Sequence, residues 1–215
     1  MIWSPSTLTP TGDFNGDGLE DIIVGSPATR TANLDLMVIR AQDDSGRVDI
    51  ISNHTALIDD GVKRLDDLTN LAIFSENRTL EFGALVTGLG NINGDGFHDV
   101  LTGGAVGRRH GLFGRPSLEQ EELFLFQSPT TSNFQIESSS QFMFRTGDVG
   151  VGDFNGDGFD DILVEEFEVA SNFVTLDRME VVNRIILGNR DFLTDGISVA
   201  ENAGVAFVHE LVGNN

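Results

Sequence analysis

Short apolar runs punctuate this chain at intervals too brief for helices. They include Ile22-Ile23-Val24, Leu36 to Ile39, Leu123 to Phe126, Ile162-Leu163-Val164 and Ile185 to Leu187, with Phe134-Gln135-Ile136 as a further short run. Runs of this length, bounded by Gly, Asn and Asp, read as β-strands. Only the stretch around 52–75 carries another period. There Val62, Leu65, Leu68 and Ala72 approach helical spacing, which reads as a short amphipathic helix or as a solvated loop. The expected class is therefore all-β.

Comparison of the chain with itself gives the organisation. Gly12-Asp13-Phe14-Asn15-Gly16-Asp17-Gly18-Leu19-Glu20-Asp21-Ile22-Ile23-Val24 aligns without gaps to Gly90-Asn91-Ile92-Asn93-Gly94-Asp95-Gly96-Phe97-His98-Asp99-Val100-Leu101-Thr102. Both align to Gly152-Asp153-Phe154-Asn155-Gly156-Asp157-Gly158-Phe159-Asp160-Asp161-Ile162-Leu163-Val164. Upstream, Phe82 to Gly88 matches Phe144 to Gly150, and downstream come small-residue turns, Gly25-Ser26-Pro27 and Gly103-Gly104-Ala105, replaced by Glu165-Glu166 in the third copy. The repeat is thus roughly 60 residues, with extra residues in the first interval. Each unit reads strand, nine-residue loop, strand, turn, strand and a fourth strand, which is the content of a β-propeller blade of four antiparallel strands.

The expected division is blade 1 at 1–51 with loop 13–21, a connecting insertion at 52–81, blade 2 at 82–143 with loop 91–99, and blade 3 at 144–203 with loop 153–161. Residues 204–215 resemble the approach to another loop and read as the first strand of a fourth blade. Closed propellers have about four to eight blades. Three therefore suggest a partial propeller or a fragment, able to close by pairing with another copy.

The loops suggest a metal. Oxygen-bearing side chains stand at positions 1, 3, 5 and 9: Asp13, Asn15, Asp17 and Asp21; Asn91, Asn93, Asp95 and Asp99; Asp153, Asn155, Asp157 and Asp161. Glycine at position 6 permits the sharp turn, and the backbone carbonyls of Leu19, Phe97 and Phe159 at position 7 are placed to complete a shell. An all-oxygen set suits Ca²⁺, in up to three sites, whereas zinc would call for His or Cys. An EF-hand loop needs an acid at position 12, where this chain has Val24, Thr102 and Val164. Asn-Gly-Asp-Gly is also ordinary hairpin chemistry, but a turn alone does not call for Asp at position 9 in every copy. The second loop has two ligand carboxylates against three in the others, so its site is expected to be the weakest.

Composition narrows the partners. The net charge is -21, from 34 acidic against 13 basic residues, which disfavours nucleic acid and anionic lipid. There is no cysteine, no apolar stretch long enough to span a membrane, and no basic-then-apolar leader. The last point implies either another route or a piece of a longer precursor. Arg108, Arg109, His110 and Arg115 form the one basic cluster, read as a solvated blade loop or as an anion-binding patch. Asn53-His54-Thr55 and Asn77-Arg78-Thr79 are sequons. His98, at loop position 8, is expected to point away from the metal, and Trp3 to pack in a blade. His209-Glu210 lacks the second histidine of a zincin helix, and no nucleophile elbow or dinucleotide fingerprint is present.

These residues resemble the FG-GAP repeat family, the blades of the integrin α N-terminal propeller. Phe82-Gly83 stands for the FG element, Asn91 to Asp99 for the calcium loop and Gly103-Gly104-Ala105 for GAP; Arg145, Glu165-Glu166 and the first repeat's lack of FG depart from it. The resemblance implies structural Ca²⁺ loops on one propeller face. It also implies a non-enzymatic adhesion or recognition role outside the cytoplasm, with a protein or glycan ligand. The alternative is the accessory propeller of a larger secreted enzyme, of polysaccharide lyase or phospholipase type, whose catalytic residues lie beyond this chain.

Overall fold

The computed structural model describes residues 7–27, 46–52, 61–75, 82–104, 108–116, 118, 120–125, 133–137, 142–168, 178–190, 197–199 and 205–212. In chain order the strands are β1 (Thr7–Gly12), β2 (Asp21–Ser26), β3 (Arg47–Ile51), β4 (Leu71–Ser75), β5 (Leu85–Gly90), β6 (Asp99–Gly103) and β7 (Arg109–Leu112). Then follow β8 (Glu121–Leu125), β9 (Asn133–Glu137), β10 (Phe142–Gly152), β11 (Asp161–Glu168), β12 (Arg178–Ile186), β13 (Ile197–Val199) and β14 (Val205–Val212). A one-turn helix, α1 (Leu65–Leu68), precedes β4.

These strands form three sheets, each built on a four-stranded antiparallel meander: β1-β2-β3-β4, β5-β6-β7-β9 and β10-β11-β12-β14. The chain is all-β, with the sheets of a partial propeller and, among the described residues, no closed barrel. Two of the sheets gain a fifth strand by the same device. The connection between the third and fourth strands of one sheet lends a parallel strand to the outer edge of the sheet before it. Thus β8 pairs with β4 and β13 with β9, both parallel.

The strand assignments differ from the expected ones at three places. The stretch 52–81 is not a pure insertion, because it carries α1 and then β4, the fourth strand of the first sheet. Leu123 lies in β8, which belongs to the first sheet's edge, while the third strand of the second sheet is Arg109–Leu112. Val205–Val212 pairs with β12 as the fourth strand of the third sheet and does not begin a new one. In each case the apolar run was visible, but which edge it joins is a long-range choice. Leu36 to Ile39, Trp3, His54 and both sequon asparagines lie outside the described residues.

Every blade is buried on both faces where it has neighbours, and strand alternation sorts its residues between two cores. One core joins Phe14, Ile23, Val48, Ile50, Leu71 and Ile73 of the first repeat to Phe82, Val86, Val100 and Leu112 of the second. The other joins Leu85, Leu89, Ile92, Leu101, Phe113 and Phe134 to Ile162, Val164 and Ile186 of the third. The neighbours Val100 and Leu101 are both fully buried, yet they serve opposite cores. The junctions are tight enough to need glycine. A β-carbon on Gly25 would collide with the carbonyl oxygen of Gly83, and one on Gly88 with the backbone of Thr11.

Some polar groups are enclosed in this packing. Asp49, with its side chain fully buried, takes Nε of Arg47 at 2.7 Å and the Thr69 hydroxyl at 2.9 Å. Burial nonetheless pushes its carboxyl up, against the pull of Arg47. Glu166, where the repeat departs from a glycine-containing turn, is fully buried and bound by Arg184 at 2.7 Å. His110 lies edge-on to Phe82, with ring centroids 6.3 Å apart. Burial, with Arg108 adding to it, lowers its pKa to about 4.

Two predictions follow from the packing. Folded His110 resists protonation while the unfolded chain accepts it near about pH 6.5. Its contribution is therefore intact above that pH and is lost as pH falls toward 4, by roughly 2 to 3 kcal/mol. In urea titrations across that window, His110→Gln should show a smaller fall in stability than the wild type. Gly25→Ala should lower stability by about 1 to 3 kcal/mol through overpacking. Gly18→Ala, with open space around it, should cost only about 1 kcal/mol of left-handed strain; equal effects in urea denaturation would refute the close Gly25–Gly83 contact.

Candidate metal loops and their junctions

Each nine-residue loop joins the first two strands of a sheet, and glycines at positions 4 and 6 hold it in a left-handed course. Gly16 and Gly18 have φ of 75° and 86°, Gly94 and Gly96 of 73° and 95°, and Gly156 and Gly158 of 78° and 92°. Position 9 closes the base. Asp21, Asp99 and Asp161 are fully buried, and their Oδ2 atoms accept the amide of position 2 (Phe14, Ile92, Phe154) at 2.8, 2.9 and 2.9 Å. In the second and third sheets the other oxygen accepts the amide of Gly114 or Gly188, each at 2.9 Å. These two glycines were not legible beforehand, because they lie 15 and 27 residues from their aspartates with no fixed spacing.

Positions 1, 3 and 5 face the loop interior in all three copies. The amide of position 5 donates to both the position 1 and position 3 side chains. Asp17 donates to Asp13 and Asn15 at 2.9 and 3.0 Å, Asp95 to Asn91 and Asn93 at 3.1 and 3.0 Å, and Asp157 to Asp153 and Asn155 at 3.0 and 2.9 Å. Position 5 in turn accepts the amides of Leu19, Phe97 and Phe159 at 2.9, 2.9 and 3.0 Å. Two side-chain oxygens thus converge on one point in each loop, with the position 5 carboxylate beside them.

The donor set fits a hard cation by its chemistry. It is all oxygen, mixes carboxylate and amide, and has a position 7 carbonyl following directly. Among the described residues, no three acidic or histidine side chains gather by themselves into a metal-sized cluster. Asn15, Asn93, Asn155 and the position 7 carbonyls would therefore have to share the coordination. The position 9 carboxylates anchor the loop base, and Oδ2 of Asp21 accepts a second amide there, that of Asn15 at 3.2 Å. For Asp99, burial raises the pKa to about 8 against the pull of the Gly114 and Ile92 amides, with Asp95 and Asp160 adding to the rise.

Positions 7 and 8 have a different task, as joints between blades. The Phe97 ring covers Gly16 of the preceding loop, and the Phe159 ring covers Gly94. The amide of His98 donates to the Asp13 carbonyl at 3.0 Å, and that of Asp160 to the Asn91 carbonyl at 3.3 Å. The Asp160 carboxylate also accepts the Asn91 amide at 2.8 Å. A third-blade carboxylate sits against position 1 of the second loop, where an aspartate would add like charge. Against Asp13 the corresponding residue is His98, whose ring lies over Gly12.

The basic cluster does not form a patch. Arg109 is 1% exposed, donates to the Gly104 carbonyl, and fills the space beside Gly103. Burial lowers its pKa to about 10. Arg108 pairs with Glu137 at 2.7 Å and Arg115 with Glu121 at 2.6 Å. His110 is buried, so the four side chains are divided between core and separate ion pairs. Phe82 is fully buried at the joint with the first blade, and Gly83, at φ 87°, accepts the Thr7 hydroxyl at 3.1 Å.

Residues 5–51, which contain the first loop and β1 to β3, match the FG-GAP repeat model. Integrin alpha-5 of Xenopus laevis is 25% identical over 169 residues. The match covers 75% of this chain and 14% of that protein, so the chain spans only a small part of its relative. Three repeats, three blade-like sheets and these two likenesses together support an FG-GAP, integrin-α-like family for this chain.

Proposed function

We propose that the chain is a non-catalytic, calcium-stabilised propeller region of an extracellular or cell-surface protein that serves adhesion or ligand recognition. The observation that carries the metal reading is the threefold convergence of position 1 and position 3 oxygens on the amide of position 5. Asp13, Asn15, Asp17 and Asp21, with the Leu19 carbonyl, would hold one ion. Asn91, Asn93, Asp95, Asp99 and the Phe97 carbonyl would hold a second, and Asp153, Asn155, Asp157, Asp161 and the Phe159 carbonyl a third. Bound Ca²⁺ would supply charge compensation and rigidity to loops whose apices are otherwise held by side-chain to amide bonds. The likeness to an integrin α chain supports the cell-surface setting. Among the described residues no helix is long and apolar enough to cross a membrane.

The test is thermal unfolding in EDTA and across a Ca²⁺ series, beside the triple variant Asp17→Ala, Asp95→Ala, Asp157→Ala. Each occupied site should add about 2.7 kcal/mol at a hundredfold excess of calcium over Kd. The wild-type midpoint should rise with calcium, and the variant's should stay flat. The second site, with two carboxylates, should empty first on dilution. A wild-type midpoint indifferent to calcium, with no metal retained on dialysis, reduces the loops to turns.

A further inference from the structure

Position 8 of the second and third loops leaves its own loop and reaches the preceding one, so both contacts lie at junctions inside the chain. The Asp160 carboxylate rests over Gly90, where an added β-carbon would collide with its Oδ2, and that oxygen accepts the Asn91 amide at 2.8 Å. The Asp160 amide donates in turn to the Asn91 carbonyl at 3.3 Å. One residue of the third blade thus holds both backbone polar groups of position 1 in the second loop. At the first junction the His98 ring lies over Gly12, and the His98 amide donates to the Asp13 carbonyl at 3.0 Å. The geometry is alike, but no carboxylate is delivered. Charge distinguishes the two receiving loops. The first carries Asp13, Asp17 and Asp21, and the second only Asp95 and Asp99 beside Asn91. Half-buried Asp160 places one further carboxylate against the loop that has fewer.

We propose that Asp160 serves the second calcium site from across the junction, as an outer carboxylate that ligates nothing there and supplies charge that Asn91 lacks. This rests on the calcium reading above. Oδ2 of Asp160 is engaged by the Asn91 amide, while the Asn91 side chain accepts the Asp95 amide at 3.1 Å. Asp160 therefore also fixes the backbone from which the position 1 oxygen projects. A negative charge held beside a site attracts a divalent ion through the intervening protein, and the attraction falls with distance. An outer carboxylate acts more weakly than a direct ligand, so the second site stays the weakest of the three, by a narrower margin. Coupling of this kind is reciprocal. An ion in the second loop strengthens the hold of Asp160, and with it the junction between the second and third blades. His98 brings the first loop no such charge, and Asp13 already supplies one there.

Calorimetric calcium titration of the full chain carrying Asp17→Ala and Asp157→Ala isolates the second site. Adding Asp160→Asn, which keeps an oxygen for the Asn91 amide, should weaken calcium binding about threefold to tenfold at low salt. That loss should shrink in about 0.5 M salt, because the missing term is electrostatic. Asp160→Glu, which keeps the charge, should stay within about twofold of its parent. In the otherwise unaltered chain the amide resonances of Gly96 and Gly158 follow the second and third loops separately. There Asp160→Asn should move the Gly96 midpoint to higher calcium by more than the Gly158 midpoint, even if the isolating background fails to fold. No calcium binding by the unaltered chain overturns the calcium reading and this proposal with it. Calcium binding that ignores Asp160→Asn, that falls equally with Asp160→Glu, or whose loss is indifferent to salt overturns the role of Asp160 alone.

Discussion

Burial of both faces of the middle sheet is the constraint on which the structure depends. A four-stranded meander with apolar residues on alternate positions and on both sides cannot satisfy itself, and this one lies between two others. Val100 and Leu112 of the middle sheet turn to the first repeat, while Leu101 and Phe113 turn to the third. Glycine enters where backbones meet, as at Gly25 against Gly83 and Gly88 against Thr11. The lent strands β8 and β13 add backbone hydrogen bonds to the same joints, so neighbouring blades are fastened at the outer edge as well as through their faces.

The loops belong to that fastening as much as to any metal site. Odd positions 1, 3 and 5 turn inward to the loop, position 9 anchors it to the sheet, and positions 7 and 8 reach across to the preceding loop. An ion held by the inward set would therefore stiffen the very segments through which blades touch. This couples the proposed calcium sites to blade docking through chain geometry, without a separate pathway. The Asp160 carboxylate on the Asn91 amide sets a docking residue's charge beside position 1 of the second loop.

The fold was largely legible because the repeat and the alternation are local signals. Three aligned loops and the apolar runs flanking them gave strand content, blade type and the inward oxygen set. What remained illegible was pairing across the sequence. Leu123 and Val205 stand in runs that look alike, but one run caps a neighbouring sheet and the other completes its own. The basic cluster illustrates the same limit. Four cationic residues close in sequence suggest a patch, yet strand alternation and the local turn send Arg109 and His110 inward and leave Arg108 and Arg115 to different carboxylates.

Sequence alone determined that this is an acidic, cysteine-free chain of glycine-punctuated β repeats with oxygen-rich hairpin loops. Periodicity, turn chemistry and side-chain type act over a few residues and can be read in order. Tertiary structure alone decided which edge each strand joins, which of two adjacent apolar residues serves which core, and that Gly114 and Gly188 complete the anchoring of Asp99 and Asp161. Those outcomes depend on contacts between segments far apart in the chain, where the alternatives differ in packing and register and not in local preference.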